Sequence, residues 1–475
     1  MKIMFVASEA TPFCASGGLG DVMGALPKTI ASRESQDEVF VVLPLYGKMK
    51  DEYKQRLVKT LDLSFKLSWR STGASAYMLE DSGVTYYFLE NHYYFDRPTL
   101  YGEHDDGERF AFFSMAVIEF ILQSGITPDI LHANDWQTAL TVIYLKTKYR
   151  STPSICGIKT VYTIHNIEYQ GKFDPLILGD VFSLDEAYRG TVEFDGCINL
   201  MKGALVCSDY ITTVSPNYAK ELQYDFYAFG LQNIIYSVSH KMDGVINGID
   251  YSYFSPDKGG DIDFKYSPRT VKSGKAKNKS ALLTELGLDP SPDIPLLVMI
   301  TRFASQKGID LLLHIIDELL SHKLQLIVLG TGEKEYEDAF RALESRHPNL
   351  TAMIKFDRVI SKRMYAAADI FLMPSKFEPC GLAQMICCSY GTIPVVRATG
   401  GLADTIIPYG EDGGNGFTFA SYNAHDFLDA ILRALSVYDN KTEWASLIKT
   451  AIACDFTWGK SAEKYLSIYS NLLNW

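Results

Sequence analysis

The strongest constraint in this chain is a rhythm. Short apolar runs alternate with longer stretches of helical period, in two series. The first has runs at residues 3–7, 39–43, 86–89, 130–132, 160–165, 211–214 and 245–247. The second has runs at 296–301, 324–329, 370–373 and 393–396. Runs of this length, separated by helical patterns, predict parallel strands joined by crossover helices. Two series predict two doubly wound, Rossmann-like α/β domains, and 475 residues exceed what one core serves. The domains read as residues 1–242 and 243–455, with a last helix over 456–475. The stretch 251–278 is rich in Ser, Pro, Gly, Lys and Asp and reads as an irregular, exposed opening to the second domain.

A segment of the form Gly-Gly-Leu-small-Asp occurs once near each end. The first copy is Ser16-Gly17-Gly18-Leu19-Gly20-Asp21 and the second is Thr399-Gly400-Gly401-Leu402-Ala403-Asp404. Each follows an apolar run and precedes a helical pattern. A glycine pair opening a helix lets ligand oxygens reach free N–H groups at the positive end of the helix dipole. On that reading the two copies are anion seats in two domains facing one phosphate-bearing ligand. Two ordinary strand-to-helix turns sharing letters would look the same.

Composition narrows the ligand. Hydrophobic residues make up 47% of the chain, as in a folded globular protein. A net charge of −12 disfavours nucleic acid as the main partner, because that affinity rests largely on Lys and Arg neutralising phosphates. The eight cysteines form no Cys-x-x-Cys pair and no cluster with His, which predicts reduced thiols, no metal and a cytoplasmic setting. The first apolar run is too short for a signal peptide, and no stretch approaches the ~20 apolar residues of a membrane helix.

Neither half carries Gly-x-Gly-x-x-Gly after its first strand, so the usual dinucleotide fingerprint is missing. Chemistry concentrates at strand ends, where doubly wound sheets gather ligands. The run 130–132 leads into Asn134-Asp135, the run 160–165 ends at His165-Asn166, and 245–247 ends at Asn247-Gly248. In the second series Arg302 and Lys307 follow the run 296–301, which suits a diphosphate met by a planar fork and a point charge. Gly330 follows the next run as a tight turn. Glu378 follows the run 370–373 and precedes a helix whose first turn holds Gly381.

Several longer motifs match a known family. They are Pro374-Ser375-Lys376-Phe377-Glu378-Pro379-Cys380-Gly381-Leu382, Arg397-Ala398-Thr399-Gly400-Gly401-Leu402, Thr163-Ile164-His165-Asn166, Asn247-Gly248-Ile249-Asp250 and Ser305-Gln306-Lys307-Gly308. Over essentially its whole length the chain resembles bacterial glycogen synthases and plant starch synthases. These are retaining glucosyltransferases of the GT-B fold, two Rossmann-like domains facing a central cleft. The resemblance implies transfer of glucose from ADP-glucose to the non-reducing end of an α-1,4-glucan, without a metal or other cofactor. It also implies that the last helix returns to the first domain.

The resemblance assigns roles as well. Arg302 and Lys307 neutralise the donor diphosphate, Glu378 sits beside the transferred glucose, and His165 touches that glucose, its carbonyl near the anomeric carbon. Asp135, Asn166 and Asn247 line the sugar site. Gly17, Gly18, Asp21, Gly330, Cys380, Gly381, Leu382, Thr399, Gly400, Gly401 and Leu402 surround the donor. Phe356 stacks on the base, while Tyr93, Tyr94 and Phe95 border the acceptor. One position departs from the pattern: Ala15 stands where the family has a Lys before its Gly-Gly pair. Three readings follow: a weaker enzyme, a substitute cation from residues 272–279, or a glucan-binding relative without turnover. A GT-B transferase using another sugar nucleotide is the remaining alternative.

Overall fold

The computed structural model describes residues 1–33 and 37–474. Its contacts divide the chain into unit 1, Met1–Val245 with Trp458–Trp475, and unit 2, Ile246–Thr457. Both units are α/β.

The strands of unit 1 are, in chain order, β1 (Lys2–Val6), β2 (Glu38–Pro44), β3 (Val58–Leu67), β4 (Arg70–Asp81), β5 (Val84–Glu90), β6 (Ile130–Asn134) and β7 (Lys159–Ile164). Then come β8 (Lys172–Phe173), β9 (Glu193–Phe194), β10 (Cys197–Asn199), β11 (Tyr210–Thr213) and β12 (Met242–Gly244). Nine of them form one sheet in the order β12-β11-β7-β6-β1-β2-β5-β4-β3, while β8, β10 and β9 form a small antiparallel sheet. The large sheet is parallel from β12 to β5. It ends in the antiparallel β4 and β3.

Alternating side chains feed two cores, as a sheet covered on both faces requires. On β1, Met4 and Val6 enter the core that also holds Phe112, Val142 and Leu205. Ile3 and Phe5 enter the opposite core with Val22 and Leu26. The helix Trp458–Leu473 joins that second core. Its Trp458, Ala462, Tyr465, Tyr469 and Leu472 recur at helical spacing and are buried there. Tyr469 Oη also lies 2.6 Å from His132 Nδ1, inside the core.

Unit 2 contains β13 (Leu296–Ile300), β14 (Gln325–Gly330), β15 (Leu350–Ile354), β16 (Ile370–Met373), β17 (Ile393–Arg397) and β18 (Phe417–Phe419). All are parallel, in the order β15-β14-β13-β16-β17-β18. Counted from its own first strand this is 3-2-1-4-5-6, the doubly wound order whose switch point lies between the first and fourth strands. Here that point lies between β13 and β16.

The structure corrects the sequence reading in three places. The run 245–247 follows a strand, Met242–Gly244, rather than being one. The β3–β4 hairpin, the small β8-β10-β9 sheet, β15 and β18 are additional. The stretch 251–278 is not wholly irregular: the helix Val271–Glu285 begins inside it. Lys275 and Lys279 of that helix are buried. Lys275 Nζ donates to Thr392 Oγ1 at 2.7 Å and to the carbonyls of Tyr365, Ala366 and Tyr390 at 3.3 Å. Lys279 pairs with Asp369 at 2.7 Å. Both ammonium groups are occupied, so neither is the substitute cation.

Candidate active site

In unit 2 the chemistry gathers beside the switch point. After β13 the chain runs through Arg302, which is exposed, to a short turn Ser305–Lys307. Gly308 has φ +70°, and a Cβ there would lie 2.0 Å from the Pro374 carbonyl. Only glycine permits that approach, and it brings this loop against the one after β16. Gln306 Nε2 donates to Phe377 O at 3.1 Å, and Lys376 N–H donates to Gln306 O at 2.8 Å. Lys307 Nζ thereby lies 3.0 and 2.8 Å from the two carboxylate oxygens of Glu378. Ser375 Oγ donates to the same carboxylate at 2.9 Å. Glu378 is only 6% exposed, and inside the unit its two oxygens are met by an ammonium and a hydroxyl.

The second Gly-Gly pair packs directly onto Glu378. Gly400 has φ +46°, and a Cβ on it would meet Glu378 O at 1.9 Å. A Cβ on Gly401 would meet Cys380 O at 2.1 Å. Gly401 N–H donates to Glu378 O at 3.0 Å, and Leu402 N–H donates to Thr399 O at 3.0 Å. The following helix, Gly400–Thr405, has six residues. This corrects the picture of a row of free donors: the N–H groups of Gly401 and Leu402 are taken by backbone carbonyls. Leu402 and Thr399 are fully buried.

The other unit 2 residues divide by environment. Gly330 is required by packing, since a Cβ would lie 2.0 Å from Thr301 O. Cys380 is buried and its thiol is pushed up to about 12, which makes it inert. Gly381 has φ +72°, and Leu382 is half-buried just before the helix Ala383–Ser389. Asn247 is buried, its backbone hydrogen-bonds the Cys380 sulfur, and its Oδ1 has no partner among the described residues. Phe356, just past β15, is 78% exposed with the Arg358 guanidinium 5.9 Å above its ring.

In unit 1 the sites follow β1, β6 and β7. The first Gly-Gly pair opens the helix Gly18–Ala31, and Asp21 lies in its first turn. The carboxylate of Glu9, at 3% exposure, already sits on this loop. It accepts Ser16 N–H at 2.6 Å, Ser16 Oγ–H at 2.7 Å and Gly20 N–H at 3.1 Å. Burial raises its pKa despite those bonds. Gly17 and Gly18 stay exposed, and a Cβ on Gly18 would meet nothing within 4 Å. Ala15 is half-buried, its Cβ 2.4 Å from where a Cβ on Gly20 would stand.

Asp135 follows β6 with φ +56° and ψ 178°, a conformation that costs a non-glycine residue roughly 1–3 kcal/mol. Its Oδ1 accepts His165 N–H at 2.8 Å. Burial pushes the carboxyl up to about 7, and the charge of Glu9 adds to the effect. Asn134 Nδ2 donates to Val6 O and His132 O, which turns its Oδ1 toward His165 Nε2 at 2.9 Å. That network makes Nε2 the protonated nitrogen. Burial holds the imidazole down at about 3, so it is neutral near pH 7. Asn166 Oδ1 is engaged by Glu168 N–H at 3.0 Å.

The three aromatic residues at the start of the 93–95 segment part company. Tyr93 is 68% exposed. Tyr94 is buried and donates to Glu108 Oε1 at 2.6 Å. Phe95 is fully buried against Tyr46, Phe112 and Phe113, so it borders no acceptor.

The comparisons with known proteins now bear on these loops. A family model described as the starch synthase catalytic domain matches residues 2–237. A second, glycosyl transferases group 1, matches residues 288–449. The chain is 44% identical to a glycogen synthase of Exiguobacterium sibiricum over 99% of this chain and 98% of that one. It is 43% identical to a glycogen synthase of Bacillus subtilis, again over 99% and 98%. The chain belongs to the glycogen and starch synthase family. Among solved structures it is similar to the catalytic domain of starch synthase IV from Arabidopsis thaliana bound to ADP and acarbose. That match has a TM-score of 0.90 and 31% identity, covering 100% of this chain and 99% of the other. Sucrose-phosphate synthase from Thermosynechococcus elongatus shares the fold at a TM-score of 0.62 and 15% identity. The protein is therefore a glycosyltransferase of GT-B architecture. Among the described residues, no helix is long and apolar enough to cross a membrane. Also among them, no group of three or more His, Cys, Asp and Glu is arranged to hold a metal ion.

Of the residues that build these loops, the sequence reading passes over Glu9 and names Ser16, Asn134 and Ser375 in its motifs without giving them a role. Glu9 was accessible to it: it follows β1 immediately, on the rim that carries Asp135 and His165. Ser375 and Asn134 adjoin residues already singled out, but only their hydrogen bonds reveal them.

Proposed function

We propose that this protein transfers glucose from ADP-glucose to the 4-hydroxyl at the non-reducing end of an α-1,4-glucan, with retention of configuration. The observation that carries the reading is the buried Glu378–Lys307 pair beside Arg302 at the switch point of unit 2. The family relationship supports the donor and the acceptor.

In this reading Arg302 and Lys307 meet the negative charge that grows on the leaving diphosphate. Glu378 offsets the positive charge that grows on the glucose ring, assisted by the His165 carbonyl. The bond from the anomeric carbon to the phosphate oxygen breaks and a bond to the acceptor oxygen forms. The acceptor proton passes to the departing phosphate on the same face. Asn247 Oδ1, buried and without a partner among the described residues, accepts a hydrogen bond from a sugar hydroxyl, and so does the ionised Asp135 carboxylate. Phe356 stacks on the nucleotide base, and Tyr93 borders the acceptor. Exposed backbone at Gly17 and Gly18 approaches the donor, with Asp21 and Asn166 also placed at the donor. The setting is cytoplasmic, in keeping with eight free thiols.

Ala15 favours a second reading, a glucan-binding protein without turnover. One experiment separates the two: incorporation of labelled glucose into glycogen from ADP-, UDP- and GDP-glucose, by the parent chain and by Glu378→Gln. The proposal expects turnover with ADP-glucose and a loss of about 10²–10³-fold in the variant. Near-normal transfer by Glu378→Gln removes the role given to Glu378. Turnover with another donor alone moves the donor assignment. Glycogen binding without transfer from any donor selects the second reading.

A further inference from the structure

We propose that unit 1 carries a second carbohydrate site, built around Trp69, that holds a segment of α-1,4-glucan away from the reacting residues. This inference rests on the glucan-elongating reading for the identity of its ligand. Trp69 lies at the tip of the β3–β4 hairpin and is 71% exposed. It is nonetheless held in place. Its Nε1 donates to Asp180 Oδ1, and the Arg70 guanidinium lies 4.6 Å from the ring centroid. Arg70 is fixed in turn by Asp180 O at 2.6 Å and by Glu108 at 3.5 Å. Ser68, at φ +56°, donates its N–H to Ser183 Oγ at 3.1 Å. An ordered indole that buries so little of its surface is a pre-oriented platform with one face open.

Beside it lies an open cavity of about 290 Å³, lined by Lys148, Gly179, Ser183, Leu184, Asp185 and Tyr188. Ser183 joins the two features, because its Oγ also receives Lys148 Nζ at 3.0 Å. The volume reaches the lower end of small-molecule sites, roughly 300 Å³. The chemistry favours a neutral polyol. A pyranose presents a C–H face to an aromatic ring and a rim of hydroxyls to mixed donors and acceptors. The ammonium, carboxylates and hydroxyls here supply both kinds. The carboxylates of Asp180 and Asp185 oppose a phosphate.

The position is separate from Asp135 and His165, and among the described residues it is linked to Tyr93 only through Arg70, Glu108 and Tyr94. Lys148 lies beyond the C-terminal end of the helix Trp136–Lys146, whereas Asp135 precedes its N-terminus. Its 11 residues interpose about 16 Å. A long glucan held here has its ends at raised effective concentration, an advantage denied to a short one.

The test compares the parent chain with Trp69→Ala and Asp180→Ala in native gels with and without glycogen, and in acceptor kinetics. Glycogen retards the parent, and both variants lose that retardation. The KM for glycogen rises about tenfold in Trp69→Ala. The KM for maltotriose, the KM for ADP-glucose and kcat stay within about twofold. Unchanged retardation in Trp69→Ala, or an equal rise in KM for maltotriose and glycogen, overturns the site. A parent chain that glycogen does not retard overturns it too, whatever its activity. An inactive parent still retarded through Trp69 retains the site and loses only the proposed reaction.

Discussion

The two Gly-Gly-Leu segments share letters and differ in cause. In unit 2, Gly400 and Gly401 are glycines because the carbonyls of Glu378 and Cys380 stand where any Cβ would go. In unit 1, Gly18 has open space around it, and the helix start is satisfied by the carboxylate of Glu9. One pair is a packing requirement beneath a charged residue. The other is an exposed turn held by an internal anion. A repeated motif therefore fixes neither a repeated contact nor a repeated ligand; the atoms standing around each copy do.

The largest effect expected from this difference comes from adding one methyl group to each copy. Gly401→Ala displaces the Cys380 carbonyl and the Glu378 backbone with it. A loss of about 3 kcal/mol or more in denaturant unfolding, together with loss of transfer, is expected. Gly18→Ala stays within about 0.5 kcal/mol of the parent. Equal costs at the two positions would erase the distinction.

Next comes Glu9→Ala, which leaves Ser16 and Gly20 without their acceptor. A destabilisation of about 1–3 kcal/mol is expected, and the KM for ADP-glucose rises more than kcat falls as the turn loosens. A change in neither would show that the turn holds itself.

The smallest effect is on pH dependence, and it sharpens the contrast between the units' carboxyl groups. Glu378 has Lys307 in hand, whereas Asp135 is raised to about 7 by burial. A pKa raised on folding means that Asp135 favours the native state below about pH 4. That contribution disappears as the pH rises through about 7. Its ionised form is the one assigned to the sugar, so kcat/KM should rise between pH 6 and 8 with an inflection near 7. Asp135→Asn should flatten that rise. An unchanged inflection in the variant would assign it elsewhere. His165, neutral down to about pH 3, contributes no inflection in this range.

Much of this was legible in the order of residues. Fully buried parallel strands are continuous apolar runs, so nearly all of them stood out, and the rim residues after them followed. The β3 strand did not, because Lys59, Asp62 and Lys66 interrupt it on an edge that partners only β4. The helix Val271–Glu285 was hidden for a related reason. Its buried stripe includes Lys275 and Lys279, whose ammonium groups find carbonyls and a carboxylate inside the unit. Apolar periodicity cannot register a buried lysine. The run from Tyr93 to Phe95 failed differently. On the single turn His92–Phe95, adjacent side chains point in different directions, so one aromatic ring faces out while two enter the core. Glu9 was missed because a carboxylate at a helix start satisfies the same N–H groups that a phosphate would.

The return of the chain to unit 1 sets an order of events during synthesis. Ile3 and Phe5 are made long before the helix Trp458–Leu473, yet that helix covers part of the core they enter. Unit 2 is a continuous stretch and is complete before that helix leaves the ribosome. The central domain therefore matures first, while the N-terminal one waits with an open apolar face. Truncation after residue 457 should preserve the later-made unit and leave the earlier-made one prone to aggregate.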